Sequence, residues 1–448
     1  MNNFNFTELK NICADILDRR GITPKKLGGD FIHKKGKRVI SAKLKKNNIV
    51  DFTADQPRFV SDTIYKKWMK TPLYEGDVLL TSEAPSGSVA YIKETKEWCL
   101  GQRLFCLRPN PSIVYGKYLF YVLQTKKLQH DINARSTGTT VSGIRQSELV
   151  KIVIPLPPLP TQKMIAEILG TLDEKIAINK KTNKNLEEIA KALFKSWFID
   201  FDPVRAKAED RSNGLPNAIS ELFPDSFEDS ELGRIPKGWK IKTADQLCEV
   251  ITKGTTPTSI GGQFSDEGIP FYKVESISES GQIIPGKYSF IDNEVDLLLK
   301  RSRIIEGDIL FSIAGTIGRT TLMRKENVPA NTNQALAILR PNSNLISSEF
   351  MYLYLQDKKR IELARSRVVQ SVQANFSLGE LKSLPLVVPS ESLRKRFEGI
   401  IEKLFDKITI THNNSIHLTK IRNALLPKLI SGELRIPDAE KMIEDAEI

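Results

Sequence analysis

Glu75-Gly76-Asp77-Val78-Leu79 returns later in the chain as Glu306-Gly307-Asp308-Ile309-Leu310, and this return decides the architecture. Four further matches keep the same order. Leu107-Arg108-Pro109-Asn110 returns as Leu339-Arg340-Pro341-Asn342, and Leu123-Gln124-Thr125-Lys126-Lys127 as Leu355-Gln356-Asp357-Lys358-Lys359. Arg20-Gly21-Ile22-Thr23-Pro24 is echoed by Lys253-Gly254-Thr255-Thr256-Pro257, and Asp173-Glu174-Lys175-Ile176 by Phe405-Asp406-Lys407-Ile408. The offset is 231 to 233 residues throughout, about half of the 448. A whole unit is therefore duplicated in tandem; short-repeat solenoids have periods of roughly 20–50 residues.

Each unit has two parts. A globular part (1–156, then 233–388) mixes short apolar runs with Gly, Pro, Asn and Ser, as strands and loops do. A helical part follows (157–200, then 389–436). Residues 201–232, with Pro203, Pro216 and Pro224, read as an ordered-to-extended linker, and 437–448 as a frayed acidic tail. The expected class is α+β: two mixed α/β domains in tandem pseudo-repeat, separated by two long antiparallel coiled-coil helices.

Pro155, Pro157, Pro158 and Pro160 stop the first globular part, so the helix is expected to start after Pro160, with Thr161 as N-cap. From there Ile165, Leu169, Leu172, Ile176, Asn179, Asn183, Leu186, Ala190, Leu193 and Trp197 form an a/d seam about 50 Å long at 1.5 Å per residue. The second seam runs Phe397, Ile401, Leu404, Ile408, Thr411, Ser415, Leu418, Arg422, Leu425 and Leu429. Both are apolar at the ends and polar at the same two central steps. Each helix packs on its own domain, or the two pair with each other; pairing is preferred. An antiparallel pair sets Asn179 near Ser415 and Asn183 near Thr411, buried polar layers that fix register at a cost in stability. Pro427 is expected to kink or end the second helix.

The formal charge is +12 and the pI about 9.3. A positive excess spread through a folded chain points to a polyanion, nucleic acid before an acidic membrane surface. No window approaches the ~18 apolar residues of a membrane span, and MNNFNFTELK lacks signal-peptide character. The four cysteines (Cys13, Cys99, Cys106, Cys248) form no CxxC and read as reduced thiols in a cytoplasmic protein. His33, His130, His412 and His417 show no metal-ligand spacing with them.

The order globular part, IPLPPLPTQ (Ile154 to Gln162), long helix, FDP (Phe201 to Pro203), SNGLP (Ser212 to Pro216), LGRIPKGW (Leu232 to Trp239), globular part, long helix and LLPKLISGEL (Leu425 to Leu434) resembles the specificity subunit of type I restriction-modification systems. The resemblance covers nearly the whole chain. It departs at the start, where the first half opens without IPKGW, which leaves its opening strand in question. The resemblance implies two target recognition domains, each reading one half of a split, asymmetric DNA site. It implies helices that space the domains and dock two methyltransferase (M) subunits, with restriction (R) subunits joining for cleavage. No cofactor is then expected in this chain; S-adenosylmethionine, ATP and Mg belong to the partner subunits. The alternative is a basic tandem-repeat scaffold that binds proteins without DNA specificity.

Candidate DNA contacts follow from side-chain chemistry. Lys34, Lys35, Lys37, Arg38, Lys43, Lys45 and Lys46 suit phosphates, or are a solvated basic loop. The polar loop with Arg135, Thr137, Thr139, Thr140, Ser142 and Arg145 has as counterpart the one with Arg365, Arg367, Gln370, Gln373 and Asn375. Arg, Gln and Asn suit bidentate contacts to guanine or adenine edges, and the resemblance places this loop near the DNA. Thr81 and Ser82, Ser312 and Arg319 follow the paired EGD strands and either cradle phosphates or make hairpin turns. Lys253, Thr255 and Thr256 are a similar candidate.

Catalytic signatures are missing. No Gly-rich cofactor turn with an Asn/Asp-Pro-Pro-aromatic tetrad occurs; Asp202-Pro203-Val204 is nearest. There is no Walker loop. Pro224-Asp225 and Pro437-Asp438 begin a nuclease pattern without completing it. Because the two domains differ in sequence, their half-sites are expected to differ in bases, and helix length to set the gap between them.

Overall fold

The computed structural model describes residues 4–33, 35–41, 58–83, 85–138, 142–357, 361–362 and 376–445, together with the backbone of 45–46 and 49–50. The chain forms two compact units, Met1–Lys180 with His412–Ile448, and Lys181–Thr411. Four helices matter below: α1 (Asp62–Trp68), α2 (Leu159–Phe198), α3 (Asn293–Leu298) and α4 (Glu391–Ser431). The unit boundaries fall within α2 and α4, so each unit holds a segment of both.

The duplication extends to the strand order of the two main sheets of each unit. In the first unit a four-stranded sheet orders Cys13–Asp18, Leu104–Pro109, Val78–Thr81 and Val89–Tyr91. In the second, Cys248–Lys253, Leu336–Pro341, Ile309–Ser312 and Thr320–Leu322 take the same order. A three-stranded sheet accompanies each: Arg58–Val60, Lys37–Ile40, Cys99–Leu100, and Ser289–Ile291, Ile269–Tyr272, Asn331–Thr332. The first pair in each is antiparallel and the second parallel. The opening strand questioned above is present, because Asn5–Glu8 pairs Val153–Leu156 as Lys240–Thr243 pairs Pro385–Val388.

The runs after EGD are continuously apolar because both faces of the four-stranded sheet are covered. Alternate residues serve alternate faces. Val78, Leu80, Phe105 and Leu107 pack with Tyr118, Leu119 and the α2 residues Ile165 and Leu169. Leu79, Leu104 and Cys106 pack instead with Ile40, Ile64 and Trp68. In the second unit Ile309, Phe311 and Leu339 join Phe350 and Phe397, whereas Leu310, Leu336 and Ile338 join Tyr272 and Ile304.

The EGD motif closes the turn into that sheet. Gly76 and Gly307 take φ of +92° and +86°, where a Cβ is strained. Asp77 accepts from the Tyr74 N–H at 2.8 Å, and Asp308 from the Ile305 N–H at 2.9 Å. Each buried carboxylate then meets the Arg of LRPN in a fork. Arg108 Nε and Nη2 donate to Asp77 at 3.1 and 2.9 Å, and Arg340 donates to Asp308 at 2.7 and 2.8 Å. Two of the repeated sequence blocks are therefore one buried ion pair, used twice.

Both readings of the helices hold together. In the first unit Ile165, Leu169, Leu172 and Ile176 cluster with Leu418, Leu425 and Leu429, and also with the globular part. Asp173 ties the layers, accepting from Tyr121 Oη at 2.9 Å and Arg422 Nη1 at 2.6 Å. In the second unit Trp197 and Phe397 lie 5.4 Å apart between ring centres, and Asn183 Nδ2 donates to Ile408 O at 3.1 Å. Rising numbers on α2 meet falling numbers on α4, so the segments run antiparallel. Asn183, Ala190, Trp197, Ile401, Thr411 and Ser415 are buried; Asn179, Leu186, Leu193, Leu404, Ile408 and Arg422 are half-buried.

Three expectations differ from the structure, and a fourth, at Pro427, does not. Helix α2 begins at Leu159, not after Pro160, because a proline in the first turn lacks only an N–H that has no helical acceptor. Helix α4 holds Pro427 about one turn before its end at Ser431, in keeping with the expected stop. The linker holds Asp202–Ala208, Asn217–Ser220 and a hairpin of Phe227–Ser230 with Gly233–Pro236. Phe201, Val204, Ile219, Phe223 and Ile235 tie it into the cluster of Trp197, Phe198 and Trp239. The acidic end forms the helix Ile436–Glu444 with Ala439 fully buried, so it is docked rather than frayed. Among the described residues no helix is long and apolar enough to cross a membrane.

Candidate nucleic-acid interface

Strand register gathers the candidate loops at one end of each four-stranded sheet. Thr81 is opposite Leu104, and Asp18 opposite Phe105, so the loops after Asp18 and Thr81 and before Leu104 are neighbours. In the second unit Ser312 is opposite Leu336 and Lys253 opposite Ala337. The same end therefore carries the RGITP or KGTTP loop, the turn after the EGD strand, and the residues entering the LRPN strand. The polar loop ends there too. Ile144 N–H donates to Ser82 O at 2.8 Å, and Phe376 N–H to Ile313 O at 2.9 Å.

At this edge some candidates face inward. Thr81 Oγ1 accepts from Ser88 N–H at 2.8 Å, and Ser312 Oγ from Arg319 N–H at 2.7 Å. Thr81, Ser82 and Ser312 are buried, so their hydroxyls are withheld from a phosphate and those of Thr81 and Ser312 close the turns. Arg319 Nη1 donates to the carbonyls of Ile277 and Val274 at 3.0 and 3.3 Å, a clamp within its domain. At Thr81 and Ser312 the geometry is that of the hairpin-turn alternative, Arg319 is engaged within its own domain, and Ser82 Oγ is buried without a hydrogen-bond partner.

Other candidates face outward. Thr137 and Gly143 exchange backbone hydrogen bonds of 2.9 and 3.0 Å that close the neck of the polar loop, and Thr137, Ser142 and Arg145 are exposed. Arg135 is held by Asp131 at 2.8 Å and Glu148 at 3.4 Å. Lys253 is exposed, Thr255 Oγ1 accepts from Arg301 at 3.4 Å, and Thr256 donates to Gln334 at 2.7 Å. Lys35 is exposed. Lys37 lies between Glu97 and Asp62, and its hydrogen bond to Glu97 raises its pKa and fixes its charge. Arg38 is half-buried. Lys34, Lys43, Thr139, Thr140, Arg365, Arg367, Gln370, Gln373 and Asn375 lie outside the described residues, as do the side chains of Lys45 and Lys46.

Sequence reasoning missed two features of this edge. Gln102 and Gln334 are exposed at one offset; Gln102 donates to Ile22 O at 3.2 Å, and Gln334 accepts from Thr256. The repeat itself was the available signal. Helices α1 and α3 also end beside it: Lys67 Nζ donates to Leu27 O at 3.2 Å and Arg301 reaches Thr255. The arrangement suits multipoint contact with a polyanion. Burial pushes the Cys99 and Cys248 thiols up to about 12, which removes them as nucleophiles at neutral pH.

Comparison with known proteins agrees with this duplication. The family described as type I restriction modification DNA specificity domain matches residues 1–188 and 236–420. The type I restriction enzyme HindI specificity subunit of Haemophilus influenzae is 26% identical over 417 residues, covering 82% of this chain and 88% of that protein. The MjaIX specificity subunit of Methanocaldococcus jannaschii is 28% identical over 369 residues, covering 81% and 79%. The crystal structure of a type I restriction-modification S subunit from M. genitalium shares the fold at a TM-score of 0.54 and 19% identity, covering 96% of this chain and 97% of that one.

Proposed function

The chain belongs to the family of type I restriction modification DNA specificity domains, and from that premise we propose that it is the sequence-reading subunit of such a complex, binding a bipartite, asymmetric DNA target. The observation that carries this reading is the duplicated polar edge. Two units share strand order, turn geometry and an Asp–Arg lock, yet differ in the side chains they expose at the same sheet end. A repeated scaffold with unlike tips suits two unlike half-sites on one duplex.

The chain itself reads and recruits, and chemistry belongs to its partners: methyltransferase subunits that hold S-adenosylmethionine, and restriction subunits that use ATP and Mg. The carboxylates of Asp77 and Asp308, paired with arginine, serve the fold.

Binding of the full chain to a random-sequence duplex across a salt series tests the reading. A log–log slope of about −5 or steeper is expected, from six or more phosphate contacts. A slope near zero removes DNA as the ligand and leaves the protein-binding scaffold. Methyl transfer by the purified chain alone would refute its non-catalytic role.

A further inference from the structure

Helices α1 and α3 are the same element used twice with different outward residues. Each follows the outer strand of the three-stranded sheet and is capped by a side chain: Ser61 Oγ accepts from Ile64 N–H at 3.3 Å, and Asp292 Oδ1 from Val295 N–H at 2.8 Å. Each turns its apolar side inward, Ile64 and Trp68 in one, Val295 and Leu299 in the other. Each ends against the loop after the first strand of the four-stranded sheet, through Lys67 to Leu27 and Arg301 to Thr255.

At an offset of 231, Lys66, Lys67 and Lys70 of the first unit correspond to Leu297, Leu298 and Arg301 of the second. Leu297 is 54% exposed and Leu298 67%. The fold does not require leucine there, since the same helix forms with lysine at both positions. Two adjacent leucines in water, next to exposed Lys300 and Arg301, are a contact surface rather than a packing device.

We propose that α3 and the turn after it are a base-reading element of the second unit. Leu297 and Leu298 pack on thymine C5-methyl groups in the major groove, while Lys300 and Arg301 hold the flanking phosphates. In the first unit α1 meets the phosphates through Lys66, Lys67 and Lys70 and reads no base. Charge selects DNA over a protein as the occupant. The equivalent surface of the first unit is three lysines, and the cations of the second unit stand at the end of α3 that reaches the polar edge. Glu294, exposed one turn earlier, turns the other end of α3 away from phosphates. Residues that differ at matched positions of a matched scaffold are where two half-sites are told apart.

This inference rests on the DNA-reading function above, and the test separates the two. The full chain, with its co-purifying subunits, selects from a randomised duplex pool, and the bound fraction is sequenced. Wild type is expected to enrich a two-part motif. L297A/L298A is expected to enrich the same motif with one half unchanged, and about tenfold weaker preference for thymine at one or two positions of the other. Replacing those thymines with deoxyuridine is expected to weaken wild type and leave the variant unaffected. K66A/K67A/K70A is expected to weaken selected and random duplexes alike and flatten the salt slope by about 2–3. An L297A/L298A variant that folds, selects the wild-type motif and binds it at wild-type affinity overturns the inference. So does loss of a co-purifying subunit with DNA selection intact, which assigns the leucines to a protein. Failure of wild type to select or bind any duplex sinks the function itself.

Discussion

At the scale of single residues, the pairs Asp77–Arg108 and Asp308–Arg340 explain why EGD and LRPN recur together. Asp308 is fully buried, and its two oxygens are taken by Arg340 and the Ile305 N–H. The hydrogen bonds that Arg340 donates to Asp308 raise the pKa of Arg340; at Arg108 burial works against the charge, and Asp77 outweighs it. Removing one partner strands the other charge in a poorly solvated place. D308A is therefore expected to destabilise the chain by about 3 kcal/mol, read as a lower denaturant midpoint. Removal of Lys195, an exposed partner of Asp200, is expected to leave the midpoint unchanged. Both Asp and Arg were legible as repeated letters, but their pairing was not, since 31 residues separate Asp77 from Arg108.

At the scale of elements, the heptad seams of α2 and α4 were readable because burial on a helix repeats with its turn. The seam alone understated the buried surface. Phe194 and Phe198, outside the a/d positions, meet Phe350 at 5.0 and 4.9 Å between ring centres. A helix that pairs with another and also lies on a domain needs more than two positions per heptad. The polar step at Asn183 is held by one hydrogen bond to Ile408 O, while its Oδ1 is buried without a partner. N183L is expected to raise stability by about 1 kcal/mol, since it removes an unpaired buried oxygen, and to lower register specificity. A higher denaturant midpoint in the variant checks the first part; an unchanged or lower midpoint counts against it. The linker was misread for a complementary reason. Its prolines and acids suggested an ordered-to-extended connector, whereas its few aromatics, Phe201, Phe223 and Phe227, decide its place by packing around Trp197 and Trp239.

For the whole molecule, the proposed function makes helix length the quantity expected to set the gap between half-sites. Adding one heptad to both α2 and α4 keeps the seam in phase and lengthens each helix by about 10 Å. At about 3.4 Å per base pair the gap between half-sites is expected to grow by about 3 base pairs, measurable by methylation mapping of DNA exposed to the assembled complex. An unchanged gap would remove the helices as the ruler. An insertion of two residues is expected to disrupt the seam and lower stability, since it rotates every later position off it.

Sequence alone determined the tandem unit, the α+β class, the heptad seams and the family, because each rests on a local or periodic pattern that survives without coordinates. Only tertiary structure decided which polar residues are available to a partner. Thr81, Ser312 and Arg319 read as phosphate contacts or hairpin turns, and in the structure each is hydrogen-bonded to backbone atoms of its own domain. Leu297 and Leu298, which no sequence pattern singled out, face water. The physical reason is that exposure and hydrogen-bond saturation are set by segments distant in sequence, such as Val274 and Ile277 against Arg319, and no single stretch of chain encodes them.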